Sequence, residues 1–227
     1  MLLLALLLVL GASILGFWAQ HSVKEQIAAN QAIPNQAGLS GSEIAHMILR
    51  QAGLEEVEVA RGEVEGRDHY DPRSTRLELS PSVFDGRSVA SLGIAAHEVG
   101  HALQHAESYG GLTLRNLTIP GARLGNLLGL PLILLGMFLH NPVWAAAGLV
   151  FYLGVVVFQL LTLPVEIDAS KRAMVSLDSL NLLRTQEETD GATAVLNAAA
   201  MTYVAAALAG IATLIYYAFS LFGGRRI

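Results

Sequence analysis

Residues 88–110 read SVASLGIAAHEVGHALQHAESYG. Ser88 suits a helix N-cap and Gly110-Gly111 a stop, so the run is expected to be helical to about Glu107. On a helix, positions i and i+4 share a face and lie about 6 Å apart along the axis, so the imidazoles of His97 and His101 can reach one cation. Both are expected to bind one Zn²⁺ ion. Glu98, turned about 100° from His97, cannot easily ligate the same ion but can reach a water in an open coordination position. Its expected role is general base and then proton shuttle to the leaving amine. Chance would place H-E-x-x-H in well under about one chain in a hundred of this length. The uncharged neighbours Ala95, Ala96, Val99, Gly100, Ala102 and Leu103 suit a buried, metal-bearing helix.

A third ligand is needed if one position is to stay open for water. His105 continues the same face, but two more turns carry it about 12 Å from His97, and no glycine after His101 breaks the helix as in the metzincin pattern. His105 is expected to orient a neighbour or face solvent. Glu166 stands in LPVEIDAS (residues 163–170), directly after an apolar run. A carboxylate at a membrane end is costly unless paired or metal-bound, although an ordinary interfacial glutamate would look the same. Asp168 competes with it as a ligand. The second N–H of a metal-bound imidazole usually goes to a carboxylate, for which Asp168, Glu107 and Asp68 are candidates. In Asp68-His69-Tyr70-Asp71-Pro72-Arg73, His69 or Tyr70 could donate a hydrogen bond to an oxyanion. The plainer reading, which is favoured, is an Asx-Pro turn between strands with a packed tyrosine.

Outside this core the chain is strongly apolar. It has 227 residues, 53% hydrophobic and only 15% charged, with a mean hydropathy of +0.48. A soluble domain carries about a quarter charged residues, so an integral membrane protein is expected and a disordered or collagen-like chain is excluded. The absence of cysteine excludes disulfides, iron–sulfur clusters and thiolate zinc sites, leaving His, Asp and Glu to hold any transition metal. A net charge of −5 without a basic run excludes nucleic acid as a partner.

Charge-free stretches mark four spans: residues 1–20, 124–140, 143–163 and 200–222. His140-Asn141-Pro142 breaks the middle two into a helical hairpin. The first span lacks a basic leader and a good cleavage site, which favours an uncleaved anchor. The expected layout is a membrane helix (1–20), a catalytic region (21–123), the hairpin (124–163), a second catalytic segment with the third ligand (164–199), a last span (200–222) and a tail (223–227). In the catalytic region, Ser42–Gln51 reads as an amphipathic helix capped by Ser40 or Ser42 and closed by Gly53. Val57–Ala60 and Arg76–Ser80 read as short strands, the second entered through a turn at Asp71-Pro72. The expected fold class is a mainly α membrane protein: four transmembrane helices with a small α+β zincin-like catalytic region carrying the H-E-x-x-H helix. Small residues near the start of the last span, from Thr193 to Tyr203, suit close helix packing, and the scarcity of ionisable groups within the spans disfavours a channel or metal carrier.

Several motifs together resemble a known family. They are the first span with Ala19-Gln20, Gly41-Ser42-Glu43-Ile44-Ala45, Asp68-His69-Tyr70-Asp71-Pro72-Arg73, Arg87-Ser88-Val89-Ala90, the stretch from Ala95 to His105, Pro164-Val165-Glu166-Ile167-Asp168-Ala169-Ser170, and Val195-Leu196-Asn197-Ala198-Ala199-Ala200. The combination resembles the bacterial neutral zinc metallopeptidases of the YugP type, over nearly the whole chain. The resemblance implies a zinc endopeptidase of the gluzincin kind in the bacterial plasma membrane, with His97, His101 and Glu166 as metal ligands and Glu98 as catalytic base. Broader relatives, the CAAX prenyl endopeptidases and the HtpX-type heat-shock membrane proteases, place an Asp four residues after the ligand Glu. Here that position is Ser170, so the role of that Asp does not transfer.

The counts of Lys24, Arg115, Arg123, Lys171, Arg172 and Arg184 against Arg225 and Arg226 put the catalytic face in the cytoplasm. The expected partners are the lipid bilayer and a peptide or protein substrate, drawn from membrane proteins or membrane-adjacent segments. An exposed strand, such as Arg76–Ser80, could bind an extended peptide by strand addition. The rival reading is a non-catalytic membrane scaffold whose zinc is structural, with His69 or Asp168 as a fourth ligand.

Overall fold

The computed structural model describes residues 2–222. The expected tail 223–227, with Arg225 and Arg226, lies outside the described residues. In chain order the elements are α1 (Leu2–Gln31), α2 (Gly41–Gln51), β1 (Glu58–Arg61), β2 (His69–Asp71), β3 (Arg76–Leu79), α3 (Pro81–Phe84), α4 (Val89–Ala106), α5 (Gly110–Leu124), a π-helical turn (Gly125–Gly129), α6 (Leu130–Phe138), α7 (Pro142–Ser179) and α8 (Gln186–Phe222). Among the described residues the protein is thus mainly helical with one small sheet, and four helical stretches are long and apolar enough to cross a membrane: Leu2–Gln31, Gly110–Phe138, Pro142–Ser179 and Gln186–Leu221. The chain divides into two compact units.

The apolar unit comprises residues 1–20, 110–165 and 201–227. Its hairpin turns at His140, which takes a positive φ of 53°. Asn141 closes α6, its N–H bonding the Gly136 carbonyl at 2.8 Å. Its side chain opens α7 by accepting the Val143 N–H at 3.0 Å. Glycines let the two arms approach: a Cβ on Gly148 would sit 2.5 Å from the Ile133 nitrogen, and one on Gly129 would sit 3.0 Å from the Tyr152 Cβ. Without a hydrophobic driving force between helices in lipid, such small-residue seams supply the packing. The arm starts at Gly110 rather than near Leu124. A π-helical turn over Gly125–Gly129 precedes Pro131, where the ring would otherwise clash with the preceding turn.

The polar unit comprises residues 21–109 and 166–200. Its core joins Ile44, Ile48 and Leu49 of α2, Leu77 and Leu79 of β3, Leu92, Ala95, Ala96 and Val99 of α4, Ala173 and Leu177 of α7, and Leu196 of α8. Helix α2 starts at a complete capping box: the Ser40 hydroxyl accepts the Glu43 N–H at 3.3 Å, and the Glu43 carboxylate accepts the Ser40 N–H at 2.7 Å. A second box, Thr185 with Glu188, opens α8. The buried Glu188 carboxylate also accepts the Gln36 N–H at 2.6 Å, tying the residues after α1 to the start of α8.

Four expectations change here. Arg76–Ser80 is not an exposed strand: β3 is the centre of the sheet, parallel to β1 and antiparallel to β2, because its alternate residues Leu77 and Leu79 are buried in the core. Residues 69–71, read as part of a plain turn, form the edge strand β2. The Asx turn follows it, with Asp71 accepting from the Arg73 N–H at 3.0 Å and the Ser74 hydroxyl at 2.9 Å. Helix α4 ends at Ala106, two residues before Ser108 takes a positive φ of 52°, and Gly110 opens α5 instead of closing α4. Helix α7 continues past Pro164 to Ser179. An interior proline costs about 3 kcal/mol, but the turns beyond it bury Ala169, Ala173 and Leu177 completely, which offsets the loss.

Candidate metal centre

Helix α4 is set by its N-cap, the Ser88 hydroxyl accepting the Ser91 N–H at 3.1 Å, and by a largely apolar surface that buries it on several sides. One turn apart on it, His97 and His101 stand edge to face with ring centroids 4.9 Å apart. Helix α7 supplies the third group. Glu166, 3% exposed, places Oε2 3.2 Å from His97 Nε2 and 3.5 Å from His101 Nε2. One ligand atom from each of the three residues fits within 4.8 Å of the others, so the group could hold a metal ion. A glycine makes this convergence possible. A Cβ on Gly100 would lie 2.5 Å from the Ala169 carbonyl oxygen, so only glycine lets the α7 backbone come this near to α4. The borderline-soft zinc ion accepts two imidazoles and a carboxylate, and three protein donors leave a coordination position open.

Glu98 is buried beside the pair, and that burial pushes its carboxyl above the usual range, against the pull of His97 and His101. Burial also acts on His101, lowering its pKa, but the Glu166 carboxylate, the Glu98 charge and the Gln104 hydrogen bond together outweigh it and the net shift is upward.

The imidazoles are held from behind by residues that sequence reasoning missed. His97 Nδ1 lies 3.1 Å from Ser170 Oγ, and His101 Nδ1 lies 3.0 Å from Gln104 Oε1. Ser170 follows Glu166 by four, one helical turn on the same face, so that spacing was the available signal. Gln104 follows His101 by three, a helical neighbour whose amide attracted no attention. Asp168, Glu107 and Asp68 bond other partners than the two imidazoles. Asp168 accepts from Gln104 Nε2 at 2.8 Å and from Arg172 Nε at 2.6 Å. Glu107 accepts from Arg172 at 2.7 Å. Asp68 accepts the Ser80 N–H and hydroxyl at 2.7 and 2.9 Å, and its burial raises its pKa despite these bonds.

The remaining candidates sit apart from the three donors. His105 bonds the Tyr70 hydroxyl through Nδ1 at 2.9 Å, linking α4 to the edge strand β2. His69 Nδ1 lies 3.1 Å from the Arg67 carbonyl, and the residue borders a cavity of about 630 Å³ with Arg61, Arg67, Arg76 and Glu78.

Residues 5–222 match the protein family described as "Putative neutral zinc metallopeptidase". The chain belongs to this family. It is 40% identical over 224 residues, 98% of either chain, to the "Putative membrane protease YugP" of Bacillus subtilis (strain 168). No solved structure matches it. The family's description implies zinc, and the grouping of two histidines with a glutamate is of the kind such a metallopeptidase would use.

Proposed function

We propose that the protein is an integral-membrane zinc endopeptidase of the gluzincin kind, with His97, His101 and Glu166 as metal ligands, Glu98 as catalytic base and a zincin-like polar unit. The observation that carries this reading is the convergence of His97, His101 and Glu166 from two helices, with Glu98 buried next to them. Zinc bound there would supply a Lewis acid for the scissile carbonyl and an acidified water. The chain's own residues do the rest. Glu98 takes a proton from the attacking water as its oxygen bonds the carbonyl carbon, and delivers it to the amine nitrogen as the C–N bond breaks. Glu166 and the two imidazoles hold the reacting geometry, while Ser170 and Gln104 hold the imidazoles.

The sheet offers a substrate platform in β2, an edge strand that Tyr70 fastens to α4 through His105. An extended peptide would add to that edge by strand pairing. Substrates are membrane proteins or membrane-adjacent segments, since Glu166 follows directly in sequence on a stretch suited to a membrane. The basic residues Lys24, Lys171 and Arg172 favour a cytoplasmic catalytic face.

The test is Glu98→Gln. It is expected to keep zinc stoichiometry and thermal stability while lowering cleavage of casein at least about 100-fold, the usual worth of a general base. Undiminished cleavage would overturn the assignment. A structural zinc staple needs a fourth protein ligand, and its two candidates are otherwise engaged: Asp168 by Gln104 and Arg172, His69 by a backbone carbonyl.

A further inference from the structure

Two stripes run along α7, each with the i, i+4 spacing that puts residues on one face. Glu166 and Ser170 face His97, whereas Asp168 and Arg172 face the turn of α4 that follows His101. Between the second stripe and His101 stands Gln104, completely buried. Its Nε2 donates to Asp168 and its Oε1 meets His101 Nδ1.

The order of donors along this row is forced by chemistry. Arg172 can only donate, and it meets Asp168 and Glu107 while stacking over Tyr109 at 5.8 Å. Asp168, so paired, is an ionised carboxylate and can only accept. The Gln104 NH₂ must therefore face Asp168, which turns its carbonyl oxygen to His101. A carbonyl oxygen can only accept, so His101 Nδ1 must carry the proton and its Nε2 presents a lone pair to the Glu166 side. Reversing any member would set two acceptors or two donors against each other in a buried place. Ser170 has no such effect on His97, because a hydroxyl both donates and accepts.

We infer that Gln104 is a positioning residue that, pinned by Asp168 and Arg172, fixes His101 as the Nδ1–H tautomer and so commits its Nε2 to the metal. This rests on the metal-ligand reading above. The outer partner of a ligand histidine here is thus an oriented amide backed by an ion pair, in place of a direct carboxylate. The two histidines are held unequally: His101 by a row with a fixed direction, His97 by a hydroxyl that follows.

The experiment uses the full chain in detergent, in the Glu98→Gln background so that no substrate turnover intervenes. Zinc affinity is read by competition with a chromogenic chelator, and ¹H–¹⁵N correlation of the imidazoles reads which nitrogen of His101 carries hydrogen. Gln104→Leu, close in volume but without an acceptor, is expected to weaken zinc binding about 10- to 100-fold and to loosen the Nδ1–H signal of His101, leaving His97 unchanged. Gln104→Glu combined with Asp168→Asn, whose amide can donate to the new carboxylate while its oxygen accepts from Arg172, keeps an acceptor for that N–H and is expected to hold zinc within a few-fold of the parent. Should Gln104→Leu fail to fold, the partly exposed Arg172→Met carries the test, with a smaller loss of affinity in the same direction and the same change confined to His101. A parent that binds zinc, with Gln104→Leu or Arg172→Met binding it equally well and the His101 signals unmoved, overturns the inference alone. A parent that takes up no zinc overturns the ligand reading and this inference with it.

Discussion

The apolar hairpin and the polar unit both rely on glycines that let another helix approach α7, and they use the approach differently. In the hairpin, Gly129, Gly136 and Gly148 bring the arms to backbone contact with Ile133, Ala145 and Tyr152. What meets there is hydrocarbon and main chain. In the polar unit, Gly100 brings the Ala169 carbonyl against α4 in the same way, but Glu166 and Ser170 flank that contact and His97 and His101 face them. A close approach gives packing where its flanks are apolar, and gives a site where polar residues four apart ride on both helices.

Substitutions that fill the two kinds of contact should separate them. Gly100→Val is expected to have the largest effect, driving α7 off α4 and weakening zinc binding at least about 100-fold, beyond the loss of one supporting residue. Gly148→Val should lower thermal stability by about 1–3 kcal/mol through overpacking, with zinc affinity near that of the parent. Equal loss of zinc in both variants would erase the distinction. Smaller effects sharpen it from the side of the polar unit. Glu188→Ala leaves the amides of Gln36, Arg184 and Thr185 without their acceptor, and a loss of about 1–3 kcal/mol is expected in thermal melts. Ser40→Ala removes one helix cap and should cost about 1 kcal/mol, read as a small drop in Tm with zinc affinity unaltered.

What could be read in advance followed local rules. The pairing of His97 with His101 is a matter of helical period, and the spans announce themselves by missing charge. The start of α2 was legible to within two residues, Ser40 or Ser42, and the structure puts the cap at Ser40. Glu166 could be nominated because a carboxylate beside an apolar run demands an explanation. The misses are long-range. The order β1-β3-β2 depends on which face of β3 the core covers, so a sequence with two evident strands did not reveal that the second lies in the middle. The three residues of β2 are too few for an alternating pattern. Helix α7 passes Pro164 because of packing that lies beyond the proline itself. Ser170 meets His97, and Gln104 meets Asp168, only when the Gly100–Ala169 contact fixes the register of α7 on α4.

The central claim is that two imidazoles of α4 and one carboxylate of α7 hold a single zinc ion with a position left for solvent. Zinc X-ray absorption on the loaded full-length protein tests it most directly. The account predicts two imidazole nitrogens and oxygen ligands at about 2.0–2.2 Å, with the protein oxygen lost and the ion weakly held in Glu166→Ala. A shell of four protein ligands, or one unchanged by that substitution, would contradict it.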